Sequence, residues 1–314
     1  MSTHKTQHDV IVIGGGPAGL QAALTLGRMH RPVLVLDSGT YRNDPTHAMH
    51  NVAGFDGVKP ADYRAAVHRD LTEYATVAVR DVAVTSVAGD AEAGFLVELA
   101  DGTTARGRRL LLATGVRDTL PVKPGLEDLF GDLAAHCPYC HGHEFAGTHV
   151  ALLGNGPHVA MVALLMQRIA SRMTVLADGG ELDPATRALL DRAGVAVRTE
   201  PVTGFSRSGS CARVGFESGL DEEVGGVMVA TTFAQSAPFA AQLGLTLLPS
   251  GCVEVDLMGR TSLDGVYAAG DLAHRAELPM PMSAVLSAAN AGLVAGSAAD
   301  RDLMMADWGI PRPF

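Results

Sequence analysis

Two cysteines separated by two residues, Cys137 and Cys140, most directly suggest chemistry in this chain of 314 residues. At this spacing two thiols can close a small disulfide ring, in particular where the second one begins a helix. A helix N-terminus and a nearby imidazolium both favour the thiolate, and His136, His141 and His143 flank the pair. The segment therefore predicts a redox-active dithiol.

Three other interpretations of this segment stay open. Cys137, Cys140 and two of the histidines have the ligand types of a zinc site, although all four would crowd into residues 136–143. One cysteine could act alone as a nucleophile, or the pair could simply pack. The other cysteines, Cys211 and Cys252, lie among apolar or small residues and are expected to be buried small side chains. We favour the dithiol and predict no metal site.

A glycine-rich turn near the N-terminus is typical of a dinucleotide site. Gly14-Gly15-Gly16-Pro17-Ala18-Gly19 fits the pattern G-x-G-x-x-G, follows a β-branched run and precedes a predicted helix at 17–29. The glycines permit a tight turn, and the N–H groups of the helix N-terminus then face a pyrophosphate. Asp37 ends the next predicted strand, 23 residues after Gly14, and its carboxylate can accept hydrogen bonds from a ribose.

The elements around these residues predict an α/β protein with two dinucleotide-binding, Rossmann-like domains of three layers. Continuous apolar strands at 9–14 and 32–37 indicate a parallel sheet that is covered on both faces. A second strand–turn–helix–strand unit follows at 149–177, so the unit repeats after roughly 140 residues. Segments 77–87 and 94–99 are expected to form an antiparallel insertion, with a hairpin turn at 101–102.

The first domain is expected to be split by the second. Strands near 253–270 and a last helix that begins near Ser283 are predicted to return to the N-terminal fold. The predicted domains are 1–117 for the first part, 118–240 for the inserted domain that carries the cysteine pair, and 241–314 for the returning part.

Composition excludes several classes of partner. The chain has 24 basic and 34 acidic residues and no run of Lys or Arg, so a nucleic acid is not expected. The most apolar stretch, 282–299, is rich in Ala, Ser and Gly and contains Asn290, which indicates a close-packed internal helix and no membrane span. A polar N-terminus that runs directly into a strand predicts a cytoplasmic protein.

Two later motifs extend the comparison to a family. Ala113-Thr114-Gly115 ends a returning strand, and Gly270-Asp271 ends the strand before the last helix. Together with the N-terminal glycine turn, and in this order, they resemble the flavoproteins with two dinucleotide-binding domains over nearly the whole chain. The resemblance implies bound FAD in the split domain, with Asp271 beside its ribityl and pyrophosphate groups. The residues that it assigns to FAD are Gly14, Gly16, Pro17, Ala18, Gly19, Asp37, Ser38, Arg42, Asn51, Ala113, Thr114, Gly115, Gly270, Asp271, Met282 and Ser283.

The position of the cysteine pair, just before the second glycine turn, resembles the low-molecular-weight thioredoxin reductases. This resemblance implies that Cys140 faces the flavin and that Cys137 exchanges with a substrate dithiol. The residue after the second cysteine is an acid/base aspartate in those enzymes and is His141 here, whose imidazole can shuttle a proton near neutral pH. His143 is a second candidate for that role. The resemblance also implies a homodimer.

The second glycine turn departs from the family pattern. Val159 stands at the third position of Gly154-Asn155-Gly156-Pro157-His158-Val159, where a branched side chain would hinder helix packing and phosphate approach. The next strand ends with Asp178 and Glu181 and without Arg or Lys, so a 2′-phosphate would be repelled. NADPH is therefore not expected, whereas NADH stays open because Asp178 could bind a 2′-hydroxyl.

Without NADPH, electrons are expected to flow from a substrate dithiol through the cysteine pair to FAD and then to O2. The segment Cys-Pro-Tyr-Cys-His-Gly resembles the dithiol oxidases that close the disulfides of gliotoxin, romidepsin or holomycin. Residues 41–51 resemble the flavin-proximal loop of those enzymes, and Met280 and Met282 could line a small-substrate pocket or simply pack. An NAD(P)H-dependent disulfide reductase is the alternative, and a zinc- or redox-sensing flavoprotein is a third hypothesis.

Overall fold

A computed structural model describes residues 7–312 of the chain, which form two compact units. The first unit contains residues 7–42, 61–117 and 233–312, and the second contains residues 43–60 and 118–232. Residues 1–6, which belong to the polar N-terminus used to predict the location, and residues 313–314 lie outside the described residues.

Helices and strands alternate along much of the described chain. The helices are α1 (Pro17–Arg28), α2 (Pro60–Leu71), α3 (Pro138–His141), α4 (His158–Met166), α5 (Pro184–Arg192), α6 (Phe239–Gln242) and α7 (Val285–Trp308). The strands are β1 (Gln7–Ile13), β2 (Val33–Asp37), β3 (Val77–Asp81), β4 (Val84–Asp90), β5 (Gly94–Leu99), β6 (Thr104–Leu112), β7 (Val116–Thr119), β8 (Ala134–Ala135), β9 (His149–Leu153), β10 (Arg172–Leu176), β11 (Ala196–Arg198), β12 (Val202–Ser208), β13 (Cys211–Phe216), β14 (Glu222–Val224), β15 (Gly226–Val229), β16 (Thr232–Gln235), β17 (Val253–Glu254), β18 (Val266–Ala268) and β19 (Ala273–His274).

The first unit is built on a sheet with the strand order β3-β2-β1-β6-β5-β4. Strands β1, β2, β3 and β6 are parallel, and β18 lies parallel to the last three residues of β6. All five residues of β2 are buried, as the continuous apolar run predicts for a sheet covered on both faces. The α/β class predicted for this part of the chain is therefore confirmed.

One predicted strand divides in the structure. Residues 77–81 pair in parallel with β2, and only β4 and β5 form the antiparallel insertion with the first half of β6. The division falls where the Val82 amide donates to the Arg80 carbonyl and turns the chain. The expectation that 77–87 forms one antiparallel strand was wrong because an apolar pattern does not specify the partner of a strand.

Helix α7 packs closely on α1 through small residues. A methyl group added at Gly292 would overlap the Ala18 carbonyl, and one at Gly296 would lie 3.1 Å from the Ala22 carbonyl oxygen. This contact explains why the segment is rich in Ala, Ser and Gly. Within residues 7–312, no helix is long and apolar enough to cross a membrane.

The second unit has a parallel sheet with the order β11-β10-β9-β15-β8, and a separate antiparallel sheet with the order β12-β13-β14. The strand–turn–helix–strand unit predicted at 149–177 is present as β9, α4 and β10. Apolar side chains pack on both faces of this sheet. Helix α3, which carries the second cysteine, lies just before β9 in the chain.

The units differ from the predicted domain ranges at two places. The chain rejoins the first unit at residue 233 and not at 241, because α6 packs Phe239 and Ala240 into the core behind β4 and β5. Residues 43–60 group with the second unit, although they are adjacent in sequence to the first glycine turn and its neighbouring strand.

Candidate functional site

The two cysteines of the Cys-x-x-C segment are joined by a disulfide, as the sequence predicts. Cys137 has extended backbone and precedes α3 as its N-cap residue, with Pro138 at the first helical position. Cys140 lies in the helix, and its amide donates to the Cys137 carbonyl at 3.2 Å. Both cysteines are partly exposed. The short helix therefore holds the sulfurs together while solvent can still reach the pair.

The residue after Cys140 is fixed by a hydrogen bond. His141 Nε2 lies 2.7 Å from the carbonyl oxygen of Asp132, and its ring meets Phe145 edge to face at 5.2 Å. A carbonyl oxygen only accepts, so Nε2 carries the hydrogen and Nδ1 of the neutral ring is an acceptor. His143, the other predicted acid/base candidate, is exposed. The structure therefore holds His141 in one orientation.

The sequence gives no sign that His50, in the loop at 41–51, approaches the segment that follows the cysteine pair. His50 Nε2 lies 3.3 Å from a Glu144 carboxylate oxygen, and its Nδ1 lies 3.6 Å from Asp56. The neighbouring Asn51 has a positive φ of 61°, and its amide donates to Asp56 at 2.7 Å. Asn51, assigned to FAD by resemblance, thus belongs to the second unit. No local pattern signals this pairing because residues 50 and 144 are far apart in the chain.

The first glycine turn is closely packed on one side. Methyl groups added at Gly14, Gly15 and Gly19 would overlap the Ala113 carbonyl, the Asp37 carboxylate and the Gly14 carbonyl, respectively. Gly14 also has a φ of 114°, which favours glycine. The fingerprint glycines are thus required by the close approach of β2, β6 and α1.

The other side of the turn is open. No heavy atom lies within 4 Å of a methyl group placed on Gly16, and Pro17 follows as the first residue of α1. Gly115, which has a φ of 65°, also faces open space after the end of β6. An open cradle at the N-terminus of a long helix fits a pyrophosphate, because the backbone N–H groups there lack helical partners.

The Asp37 carboxylate is buried at the end of β2. It accepts a hydrogen bond from the Gly39 amide at 3.1 Å and a second from the Tyr41 hydroxyl. These contacts orient a carboxylate next to the glycine turn, the position at which a ribose hydroxyl is bound in dinucleotide folds. Ser38, which follows it, is exposed.

The Gly-Asp motif lies against the start of α1. A methyl group on Gly270 would lie 3.0 Å from the Ala18 Cβ, which places this motif beside the first turn. Asp271 forms an ion pair with Arg42 Nη1 at 2.8 Å. The sequence indicated both residues separately, but not that they pair. The open glycine turn and the carboxylates of Asp37 and Asp271 together fit FAD.

Three further sequence expectations in this unit have different outcomes. Cys252 is fully buried, as expected, and its thiol donates to the Asp271 carbonyl at 3.5 Å. Burial raises the pKa of this thiol, so the neutral form is favoured. Met280 and Met282 are more than half exposed and do not pack in the core, and Ser283 is exposed before α7. A cofactor contact of Met282 and Ser283 stays a prediction.

The second glycine turn is filled by its own side chains. Val159, at the position that corresponds to Gly19, is fully buried, and its Cγ2 lies 3.8 Å from a methyl group placed on Gly154. Asp178, at the end of the next strand, accepts from Lys123 Nζ at 2.7 Å and from the Val202 amide at 2.8 Å. The cation beside this strand end is therefore already paired with a carboxylate.

The zinc interpretation finds no support from the arrangement of donors. Across residues 7–312, no group of three or more His, Cys, Asp or Glu side chains is placed to hold a metal ion. His136 stacks on Phe130 at 5.8 Å, and His141 is bonded to a backbone carbonyl.

Two parallel-sheet units, an open glycine cradle and a cysteine pair define the class of α/β flavoproteins that handle disulfides. The family described as pyridine nucleotide-disulphide oxidoreductase matches residues 8–292. The chain belongs to this family, which binds FAD. The suspected relationship and the fold class are thereby confirmed.

Individual relatives place the chain among the thioredoxin reductase-like members. Thioredoxin reductase sirT of Leptosphaeria maculans is 31% identical over 326 residues, covering 98% of this chain and 98% of that protein. Thioredoxin reductase tcpT of Claviceps purpurea is 34% identical over 317 residues, and the match covers 94% of this chain and 94% of that protein. The crystal structure of HlmI matches with a TM-score of 0.88 at 30% identity, covering 98% of this chain and 96% of that one.

Proposed function

We propose that the protein is an FAD-dependent dithiol oxidase that closes an intramolecular disulfide in a small-molecule dithiol. The overall reaction converts one dithiol and one O2 into one cyclic disulfide and one H2O2. The two electrons pass from the substrate to the Cys137–Cys140 disulfide, then to FAD and then to O2. The resemblance to dithiol oxidases supports a substrate from a disulfide natural-product pathway, in biosynthesis or self-protection.

The observation that carries this proposal is the buried Val159 in the second glycine turn. The equivalent Gly19 of the first turn cannot carry even a methyl group without overlapping the Gly14 carbonyl. A valine at that position is incompatible with the same close approach of helix and turn. Lys123, the cation beside this strand end, is already held by Asp178 and the Val202 carbonyl, so it is not free to bind a 2′-phosphate. Both features oppose NADPH as the electron donor and favour the dithiol substrate.

The cysteine pair would perform the exchange in two steps. One substrate thiolate attacks Cys137 Sγ, so a mixed disulfide forms and Cys140 leaves as a thiolate. The second substrate thiolate then attacks the substrate sulfur of this mixed disulfide. Cys137 leaves as a thiolate, and the substrate becomes the cyclic disulfide. The two substrate thiols lose two protons in total. His141 would take up one of them through Nδ1, because its Nε2 is engaged by the Asp132 carbonyl, and the other would pass to solvent. Both protons are used again when O2 is reduced to H2O2.

Bound FAD would accept the two electrons of the dithiol and pass them to O2. The open cradle at Gly16 would receive its pyrophosphate, and Asp37 would accept from its ribose. Asp271, fixed by Arg42, would orient the remaining polar part of the cofactor. The other residues assigned to FAD by resemblance keep that role as proposals, as do a homodimeric state and a cytoplasmic location.

The alternative is an NAD(P)H-dependent disulfide reductase acting on thioredoxin-like proteins. It is favoured by the names of the relatives, which are called thioredoxin reductases, and by the retained second parallel-sheet unit. In that case NADH would be the better donor, because Asp178 could bind the 2′-hydroxyl but would repel a 2′-phosphate.

An oxygen electrode separates the two functions. The FAD-loaded enzyme is given a panel of small dithiols in air, and O2 uptake, H2O2 release and disulfide product are measured together. We expect equal amounts of all three, and no dependence on added NADH or NADPH. The rate of thiol oxidation without active enzyme is measured with a heat-inactivated sample and subtracted. An enzyme that consumes no O2 with any dithiol, yet oxidises NADH or NADPH with thioredoxin, would contradict the proposal.

A further inference from the structure

The two glycine turns of this chain provide an internal comparison. Their sequences align residue for residue, so Ala18 and Gly19 of the first turn correspond to His158 and Val159 of the second. The first turn leaves the face of Gly16 open, with no heavy atom within 4 Å of an added methyl group. This open face is what allows phosphate oxygens to approach backbone N–H groups at hydrogen-bonding distance.

The equivalent face of the second turn is covered by an imidazole. A methyl group on Gly156 would lie 3.1 Å from His158 Nδ1 and 3.2 Å from its Cε1. A methyl group on Gly154 would lie 3.6 Å from His158 Nε2. The ring therefore contacts both glycines, and at Gly156 it covers the face that is open at the equivalent Gly16.

The imidazole is held there by packing and not by a hydrogen bond. His158 Nε2 is shielded from solvent and has no hydrogen-bond partner among the described residues. An orphaned buried polar atom is unfavourable, so the ring must be retained by its surroundings. Val159 is fully buried with its Cγ2 3.8 Å from a methyl group placed on Gly154, and the Asn155 amide lies against Gly180. The turn is thus filled from within.

We propose that His158 is the specificity-determining residue that closes the second turn to a dinucleotide pyrophosphate, with Val159 in a supporting role. The inference rests on the proposed function, because it gives the structural reason for excluding pyridine nucleotides. It goes beyond that function by assigning the main part of the exclusion to His158, which stands where the first turn has Ala18. Removing this side chain should reopen an anion-binding cradle in the second unit.

The test uses ADP-ribose as the probe, because it carries the pyrophosphate and ribose without the reactive nicotinamide. The FAD-saturated enzyme is titrated calorimetrically, so the first turn is already filled. His158→Ala should bind ADP-ribose at least threefold more tightly than the natural protein, and His158→Ala/Val159→Ala at least tenfold more tightly. The form with a 2′-phosphate should gain less, because the cation at this strand end, Lys123, is already paired with Asp178. Met161→Ala, an exposed position on α4, is the matched control and should bind as the natural protein does.

Several outcomes would overturn the inference. Unchanged affinity in the double variant, with flavin content and dithiol oxidation retained, would mean that His158 does not close the site. Weaker binding in His158→Ala would mean that the imidazole holds the phosphate instead. Should the double variant lose its fold, the single variant still decides. Flavin reduction by NADH in the natural protein would be a failure of the proposed function, and it is measured separately from these affinities.

Discussion

At the residue scale, the two cysteines occupy different positions on the same turn. Cys137 precedes α3 as its cap, whereas Cys140 lies within the helix. This asymmetry is consistent with different roles for the two cysteines, in which Cys137 exchanges with the substrate and Cys140 transfers the electrons to FAD. The division itself comes from resemblance to thioredoxin reductases and is therefore a prediction.

Cys140→Ser should abolish turnover while FAD stays bound. The variant retains the first unit and its glycine cradle but cannot form the disulfide that accepts electrons, so the rate should fall by at least about 10³-fold. Oxygen uptake and the flavin absorbance of the purified protein measure the two effects. Cys211→Ser, which changes a free cysteine on β13, is the control and should keep full activity. An oxidase rate that survives in Cys140→Ser would contradict the electron path.

His141→Gln should slow the reaction without disturbing the fold. The glutamine amide can still donate to the Asp132 carbonyl, but the variant lacks the imidazole nitrogen that would take the proton. Loss of a general base costs about 10²–10⁴-fold in rate. His143→Gln changes an exposed side chain and serves as the comparison. If the His143 variant were the slower one, the roles of the two histidines would have to be exchanged.

At the element scale, two glycines at the start of α1 separate cofactor binding from folding. Gly16 faces open space, whereas Gly19 is pressed against the Gly14 carbonyl. Gly16→Ala should therefore leave the apoprotein as stable as before but weaken FAD binding by about tenfold or more, because its methyl group enters the phosphate cradle. Gly19→Ala should instead destabilise the apoprotein, because its methyl group would overlap backbone.

Melting midpoints of the apoproteins and FAD titrations distinguish the two effects. The same chemical change is made twice, three residues apart, so each variant is the control of the other. Equal FAD affinity in Gly16→Ala and the natural protein would show that the cofactor does not use this cradle.

Helix α7 is tied to the sheet of the first unit by a buried acid. Asp302 accepts hydrogen bonds from Arg260 Nε and Nη2, both at 2.8 Å, and from the Tyr267 hydroxyl at 2.6 Å. Burial alone would raise the pKa of Asp302, but the hydrogen bonds from Arg260 and Tyr267 and the charges of Arg260 and Arg312 outweigh it and hold the pKa below its usual range. Burial also raises the pKa of Tyr267, so its hydroxyl remains a donor.

The sign of the resulting pH effect follows from this direction. Because folding lowers the pKa of Asp302, its contribution to stability is complete above the unfolded value of about 3.9 and is lost as the pH falls through the folded value. Asp302→Asn should lower the free energy of unfolding at pH 7 by about 3 kcal/mol, since Arg260 loses its buried partner. The variant should also show a smaller loss of stability between pH 5 and strong acid than the natural protein.

This effect is measured by urea unfolding at several pH values, with the release of flavin as the signal for unfolding. Asp264→Asn removes the exposed partner of Arg312 and should change stability by less than about 1 kcal/mol. If both variants were equally stable, the buried contact would not anchor α7.

At the scale of the whole molecule, the sequence predicts most of the features that are set by residues close together in the chain. The glycine turns and apolar strands place both strand–turn–helix–strand units, and the unit predicted at 149–177 begins with β9. The disulfide follows from the spacing of two cysteines. These features depend on neighbours in the chain, so a reading of short segments recovers them.

Features that depend on partners far apart in the chain were not recovered. The pairing of Val77–Asp81 with β2, the Arg42–Asp271 ion pair and the contact of His50 with Glu144 each join segments that no local pattern connects. The imidazole over the second glycine turn was also missed, because the sequence shows that His158 is present but not where its ring lies. Side-chain direction in irregular turns is set by packing of the folded chain.

Anaerobic rapid mixing tests most directly the claim that electrons enter from a dithiol and not from a pyridine nucleotide. The FAD-loaded enzyme is mixed without O2 with a small dithiol, NADH or NADPH, and the visible absorbance of the oxidised flavin, which is lost on two-electron reduction, is followed. We expect rapid bleaching by the dithiol, no bleaching by either nucleotide, and recovery of the band when O2 is admitted. Rapid bleaching by NADPH would contradict it.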